Sequence, residues 1–171
     1  MLDHAVIRID RVLTAALDAL VVALAGVLLV LLNYAVFTRF VLNESVSWSE
    51  ELPSHLLAML TFVGAAYLTR TNEHIGFDGV VRIMPPLAQK LVHAFNLFAM
   101  GAFGTMLTWY GTIVTYSFGS RPLISVDLPM ALFRGAMPLG CGLIALICAV
   151  RLLALLTGRI GPEDLLPKTD D

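Results

Sequence analysis

Long apolar stretches alternate with short charged segments along this chain, and that alternation predicts the architecture. Four of them, 19–38, 52–69, 91–118 and 135–156, each come close to the roughly 20 residues that a membrane-spanning helix requires. The first has no charged residue, and the second carries Pro53 and His55 at its start. No Lys, Arg, Asp or Glu occurs over 91–120, so the third helix must tilt or project beyond the hydrocarbon. The fourth is bracketed by Arg134 and Arg151, with 16 uncharged residues between them. That is about 24 Å of helix, and both guanidinium groups can snorkel to opposite interfaces. The expected fold is therefore an all-α integral membrane protein, a four-span bundle occupying 1–160 with no soluble domain. A short polar tail, 161–171, follows it.

Ahead of the first span, Leu2, Val6, Ile9, Leu13 and Leu20 repeat at helical spacing, with His4, Arg8, Arg11 and Asp18 on another face. The pattern predicts an amphipathic helix lying on the membrane before the chain turns inward. A cleavable signal peptide fits less well, because the apolar run exceeds 7–15 residues and no polar domain follows. Between the second and third spans, Asp78 could cap a short, partly apolar helix over 79–84 that Pro85 and Pro86 would end.

Composition agrees with the pattern. Hydrophobic residues make up 58% of the 171 residues and charged residues 14%, and the mean hydropathy is +0.82. An ordinary soluble domain is about 45–50% apolar. The net charge of −2 shows no basic stripe with interleaved aromatics, so nucleic acid is not an expected partner. With the N-terminus inside, the inner segments hold Arg8, Arg11, Arg70, Arg82, Lys90, Arg151, Arg159 and Lys168, against Arg39, Arg121 and Arg134 outside. That bias places both termini in the cytoplasm. Trp48, Trp109, Tyr110 and Tyr116 then fall near the outer interface.

Candidate chemistry is sparse. Cys141 and Cys148 share one helical face as buried thiols, with no disulfide or metal spacing. His55 and His93 lie near opposite ends of their spans and cannot ligate one haem iron. No Asp or Glu sits at mid-membrane, where a proton-coupled antiporter would need one. Gly101, Gly104, Gly111, Gly140 and Gly142 suit close helix packing. No catalytic, cofactor-binding or metal-binding residue is read, and an enzyme is not expected. Before the second span, Ser47 and Glu50 have the spacing of a capping box, and Glu50 and Glu51 suit the positive end of a helix dipole. Arg39 could complement its own helix end or pair with Glu50 or Glu51 across the short loop, Glu51 being the acid left over by the box.

Several short motifs occur in order: Arg39-Phe40-Val41-Leu42-Asn43, Trp48-Ser49-Glu50-Glu51-Leu52, Phe62-Val63-Gly64-Ala65-Ala66 and His74-Ile75-Gly76-Phe77-Asp78. This run resembles the small membrane subunit of tripartite ATP-independent periplasmic (TRAP) transporters, the DctQ-like family. Leu128-Pro129 and Met137-Pro138-Leu139-Gly140 resemble the family around its last span. Pro53 departs from the pattern, where a helix former is commoner after the paired acids. The resemblance implies a multi-pass protein of the bacterial inner membrane, contacting lipid, that braces a large permease subunit. In such systems a periplasmic substrate-binding protein delivers an organic acid to that large subunit, usually by sodium symport. Carried over by position, the candidate interface or structural residues are Arg39, Asn43, Trp48, Glu50, Glu51, Gly64, His74 and Asp78. The alternative is a membrane-anchor or cytochrome-like subunit of a redox complex, which a Soret band would reveal.

Overall fold

The computed structural model describes residues 2–71, 83–158 and 161, with residues 2–13 described by backbone only. Among the described residues five helices follow one another: α1 (Leu2–Phe40), α2 (Glu51–Thr71), α3 (Pro86–Phe118), α4 (Ala131–Arg134) and α5 (Ala136–Leu156). Four stretches of the described residues are long and apolar enough to cross a membrane: Thr14–Phe40, Glu51–Thr71, Pro86–Phe118 and Ala131–Leu156, the last combining α4 and α5. The chain is thus an all-α membrane protein with four spans. Among the described residues the only β-type pairing is an isolated bridge between Pro122 and Pro129.

Two helices extend further than their apolar stretches. α1 is continuous over 39 residues, about 58 Å. The amphipathic segment and the first span are therefore one helix, with no turn between them. No Gly or Pro interrupts 2–25, so nothing local breaks the hydrogen-bond ladder. α3 starts at Pro86, where a missing N–H is harmless and φ is already helical. Pro85 before it is extended, at φ −63° and ψ 150°. The prolines thus open the third span. Most of the short helix expected over 79–84 lies outside the described residues; Ile83 and Met84 form a turn and bend. Pro53 is buried in the first turn of α2, where a proline is tolerated.

The spans stand in a row. α3 packs most extensively on α5, α5 on α2, and α2 on α1, and no comparable contact joins α1 to α3 or α5. The pattern of contacts is thus sequential rather than centred on one common axis. The cause lies in how many faces each helix can bury. On α1 the inward positions are Leu17, Val21, Leu24, Leu28, Leu31, Ala35 and Thr38, alternating spacings of four and three. One such stripe makes one seam. It meets Leu52, Leu56, Met59, Leu60 and Val63 of α2. On the other faces of α1, Val22, Leu29, Val36 and Phe37 are exposed.

Small residues make the other two seams. α3 and α5 run antiparallel. A Cβ on Gly101 would sit 3.3 Å from the Cβ of Cys148, and one on Gly104 would sit 3.1 Å from the Cys141 carbonyl oxygen. At Gly111 the neighbours are Met137 and Pro138, both at 3.3 Å. Cys141 and Cys148 are buried free thiols in this seam. On the other side of α5, Gly140 touches the backbone of Phe62 in α2. Without a hydrophobic drive between helices in lipid, such close backbone approach supplies the van der Waals energy that holds them.

Candidate functional site

The motif residues before α2 gather at one end of the row. α1 ends in a turn in which Val41 N–H donates to the Phe37 carbonyl at 2.8 Å and Glu44 N–H to that of Thr38 at 3.1 Å. Asn43 makes the turn possible with φ 54°, a left-handed conformation that Asn tolerates better than most residues with a Cβ. Trp48 then folds back on α1 and stacks on Tyr34, with ring centroids 5.9 Å apart and planes 9° from parallel. Both motif residues thus have a local structural task.

The paired acids have exchanged their expected roles. The capping box is absent: among the described residues neither Ser47 nor Glu50 makes a side-chain hydrogen bond. A turn closes instead at Ser49, whose N–H and Oγ both donate to the Val46 carbonyl, at 3.1 and 2.7 Å. Glu50 is exposed. The Glu51 carboxylate accepts from Ile124 N–H at 3.0 Å, from Ser125 N–H at 2.8 Å and from Ser125 Oγ. It reaches across to the loop that joins α3 to α4. That loop is itself cross-tied, with Leu123 N–H on the Leu128 carbonyl and Met130 N–H on that of Arg121, both at 2.9 Å. Leu123 and Phe133 pack beneath it into the α1–α2 core.

Arg39 lies over the Phe40 ring, 5.9 Å from its centroid. Among the described residues no ion pair joins it to Glu50 or Glu51. A charge swap tests this arrangement. Arg39→Glu with Glu51→Arg is expected to be no better than Glu51→Arg alone in uptake by the assembled system at matched expression. Recovery in the double variant would show a pair across the loop, through a coupling of about 0.5–3 kcal/mol.

At the opposite end of the row, Arg151 of α5 donates from Nη1 to the Thr69 carbonyl and from Nη2 to the Arg70 carbonyl, each at 2.6 Å. Those carbonyls lie in the last turn of α2, where a cation also suits the dipole. Arg70 Nε in turn donates to Thr14 Oγ1 of α1 at 2.7 Å. A chain of polar contacts therefore crosses three helices. In the sequence Arg151 reads as a snorkelling charge and one of the inner basic residues. Its position one helical span from Arg134 carried no signal of a carbonyl partner 81–82 residues away.

Gly64 lies on α2 where an added Cβ would meet nothing within 4 Å, and Gly26 on α1 is similar. Among the described residues, neither meets a packing neighbour at its Cβ position. His74 and Asp78 lie outside the described residues. His55 packs against Phe133, ring centroids 5.6 Å apart.

A row of four membrane helices, tied at both ends through α2, defines the class as an all-helical, multi-span membrane protein. The chain belongs to the DctQ component family of tripartite ATP-independent periplasmic transporters, whose sequence profile matches residues 28–158. It is therefore a membrane subunit of TRAP transporters. It is 25% identical over 123 residues to the C4-dicarboxylate TRAP transporter small permease protein DctQ of Pseudomonas aeruginosa, covering 69% of this chain and 59% of that one. It is 36% identical over 75 residues to the ectoine TRAP transporter small permease protein TeaB of Halomonas elongata, covering 43% and 38% respectively. The chain spans about half the length of the curated relatives it matches.

Proposed function

We propose that this chain is the small permease subunit of a TRAP-type secondary uptake system for organic acids in the bacterial inner membrane, with both termini cytoplasmic. It acts as a scaffold for a large transport subunit, to which a periplasmic binding protein delivers the substrate, and it catalyses no reaction of its own. Sodium symport belongs to the large subunit in this reading. The observation that carries it is the row itself. Helices held side by side through α2 leave broad apolar faces bare, a form suited to bracing a neighbour. Among the described residues, Gly64, with open space above it, and exposed Arg39 and Glu50 are the motif residues left for such contact. The names of the relatives, C4-dicarboxylate and ectoine transporters, support an uptake role, and the basic-residue bias supports the orientation.

Reconstitution tests the proposal. The tagged chain purified in mild detergent is expected to bring down a larger multi-span permease. Liposomes holding the chain alone are expected to take up no organic acid under a sodium gradient. Those holding both subunits, supplied with binding protein, are expected to do so. Sodium-driven uptake by the chain alone would overturn the scaffold role.

A further inference from the structure

α2 and α3 flank α5 and leave a crevice between them at the end of the row that carries Arg134. Its volume is about 230 Å³, and its walls include Phe62, Val114 and Met137. An engineered apolar cavity of about 150 Å³ already accepts benzene, so this space takes a length of hydrocarbon chain. Three polar groups also line it: His55 from α2, Thr115 from α3 and Arg134 at the end of α4. Thr115 Oγ1 is buried with no hydrogen-bond partner, which leaves its donor unmatched. Arg134 lies 5.9 Å from the Phe118 ring centroid, and Arg121 lies 5.0 Å from the same ring. Neither arginine makes an ion pair among the described residues. The nearby acid, Glu51, is already engaged by Ile124 and Ser125.

An apolar slot edged by the Arg134 guanidinium and an unmatched hydroxyl calls for a ligand with a hydrocarbon tail and an anionic, hydrogen-bond-accepting head. In a bilayer that chemistry is supplied by an anionic phospholipid, whose phosphate oxygens accept charge-assisted hydrogen bonds from a guanidinium. We propose that this crevice binds one anionic phospholipid, its acyl chain against Phe62, Val114 and Met137 and its phosphate on Arg134 and Thr115. The lipid would fill the gap that a row of helices leaves between α2 and α3.

Native mass spectrometry of the delipidated full chain tests this, using phosphatidylglycerol and phosphatidylcholine of identical acyl chains. One phosphatidylglycerol is expected to be retained at least about tenfold better than phosphatidylcholine, the scale of one charge-assisted contact. Arg134→Gln is expected to erase that preference and Arg134→Lys to keep part of it. Ala58→Phe, which fills the crevice wall, is expected to reduce retention of both lipids, with circular dichroism confirming that each variant keeps its helices. Equal retention of the two lipids by the parent chain overturns the proposal. So does a preference that survives Arg134→Gln. Absence of the retained lipid from the complex with the large subunit would also overturn it and assign the crevice to a segment of that partner.

Discussion

Gly140→Ala is expected to loosen the joint between α2 and α5 and to lower the stability of the isolated chain by about 1–3 kcal/mol, the usual cost of overpacking. The added methyl would lie 2.6 Å from the Phe62 carbonyl oxygen, 2.9 Å from its carbonyl carbon and 3.1 Å from its Cβ. Two of those atoms are backbone and cannot rotate away, so the helices must separate. Among the described residues, α1 packs chiefly on α2, so the displacement carries α1 with it. Two neighbouring glycines provide controls. Gly142 faces Thr108 at 3.6 Å, an ordinary contact, and Gly64 faces open space. Alanine at either is expected to change the isolated chain by less than about 0.5 kcal/mol. Unfolding in mixed micelles with increasing dodecyl sulfate gives the measurement. A Gly140→Ala midpoint equal to that of Gly142→Ala would show that the seam gives way at no cost. Gly64→Ala is informative in a second assay. If α2 meets the large subunit there, this variant weakens co-purification while leaving the isolated chain unchanged.

Removing the Arg151 guanidinium is the second substitution with a large expected effect. Arg151→Gln loses two hydrogen bonds of 2.6 Å from a charged donor to the last carbonyls of α2. Bonds to charged groups contribute about 1.5–3 kcal/mol each. Because the two share one side chain, their sum is an upper bound, and a net loss of about 2–4 kcal/mol is expected. Arg151→Lys is expected to recover less than half, since an ammonium lacks the planar fork that reaches two carbonyls at once. The same micelle titration measures the loss. Hydrogen exchange localises it: amides in the last turns of α2 and near Thr14 should exchange faster, through the Arg70 to Thr14 contact, while the α3–α5 seam stays protected. Uniformly faster exchange in all four spans would mean that Arg151 supports the whole fold rather than this end of the row.

The spans were legible in the sequence because each is a local property. An uncharged run of about 20 residues has few alternatives in a bilayer, where unpaired backbone groups are too costly to leave exposed. The buried cysteines and packing glycines were legible for a related reason, since helical spacing puts them on definable faces. Family membership was equally visible in short motifs between Arg39 and Asp78. Sequence could not say which helix neighbours which. Several helices carry apolar or small-residue faces, and in lipid none of those faces has a polar alternative to avoid, so periodicity leaves the pairing open.

The acids show the same division at the scale of single residues. Local capping rules assigned Glu50 to the helix start and left Glu51 over, because those rules weigh only near neighbours. The tertiary fold brings Ile124 and Ser125, 73 and 74 residues away, to within hydrogen-bond reach of Glu51. A carboxylate that can satisfy two backbone N–H groups and a hydroxyl gains more there than from one cap. By itself, then, the sequence determined the number and approximate extent of the helices that cross the membrane and the family to which they belong. Only the tertiary structure decided that they stand in a row, that Gly140 and Arg151 hold α2 in its centre, and that Glu51 ties the far loop. Partners so distant in the chain meet only after the helices have packed.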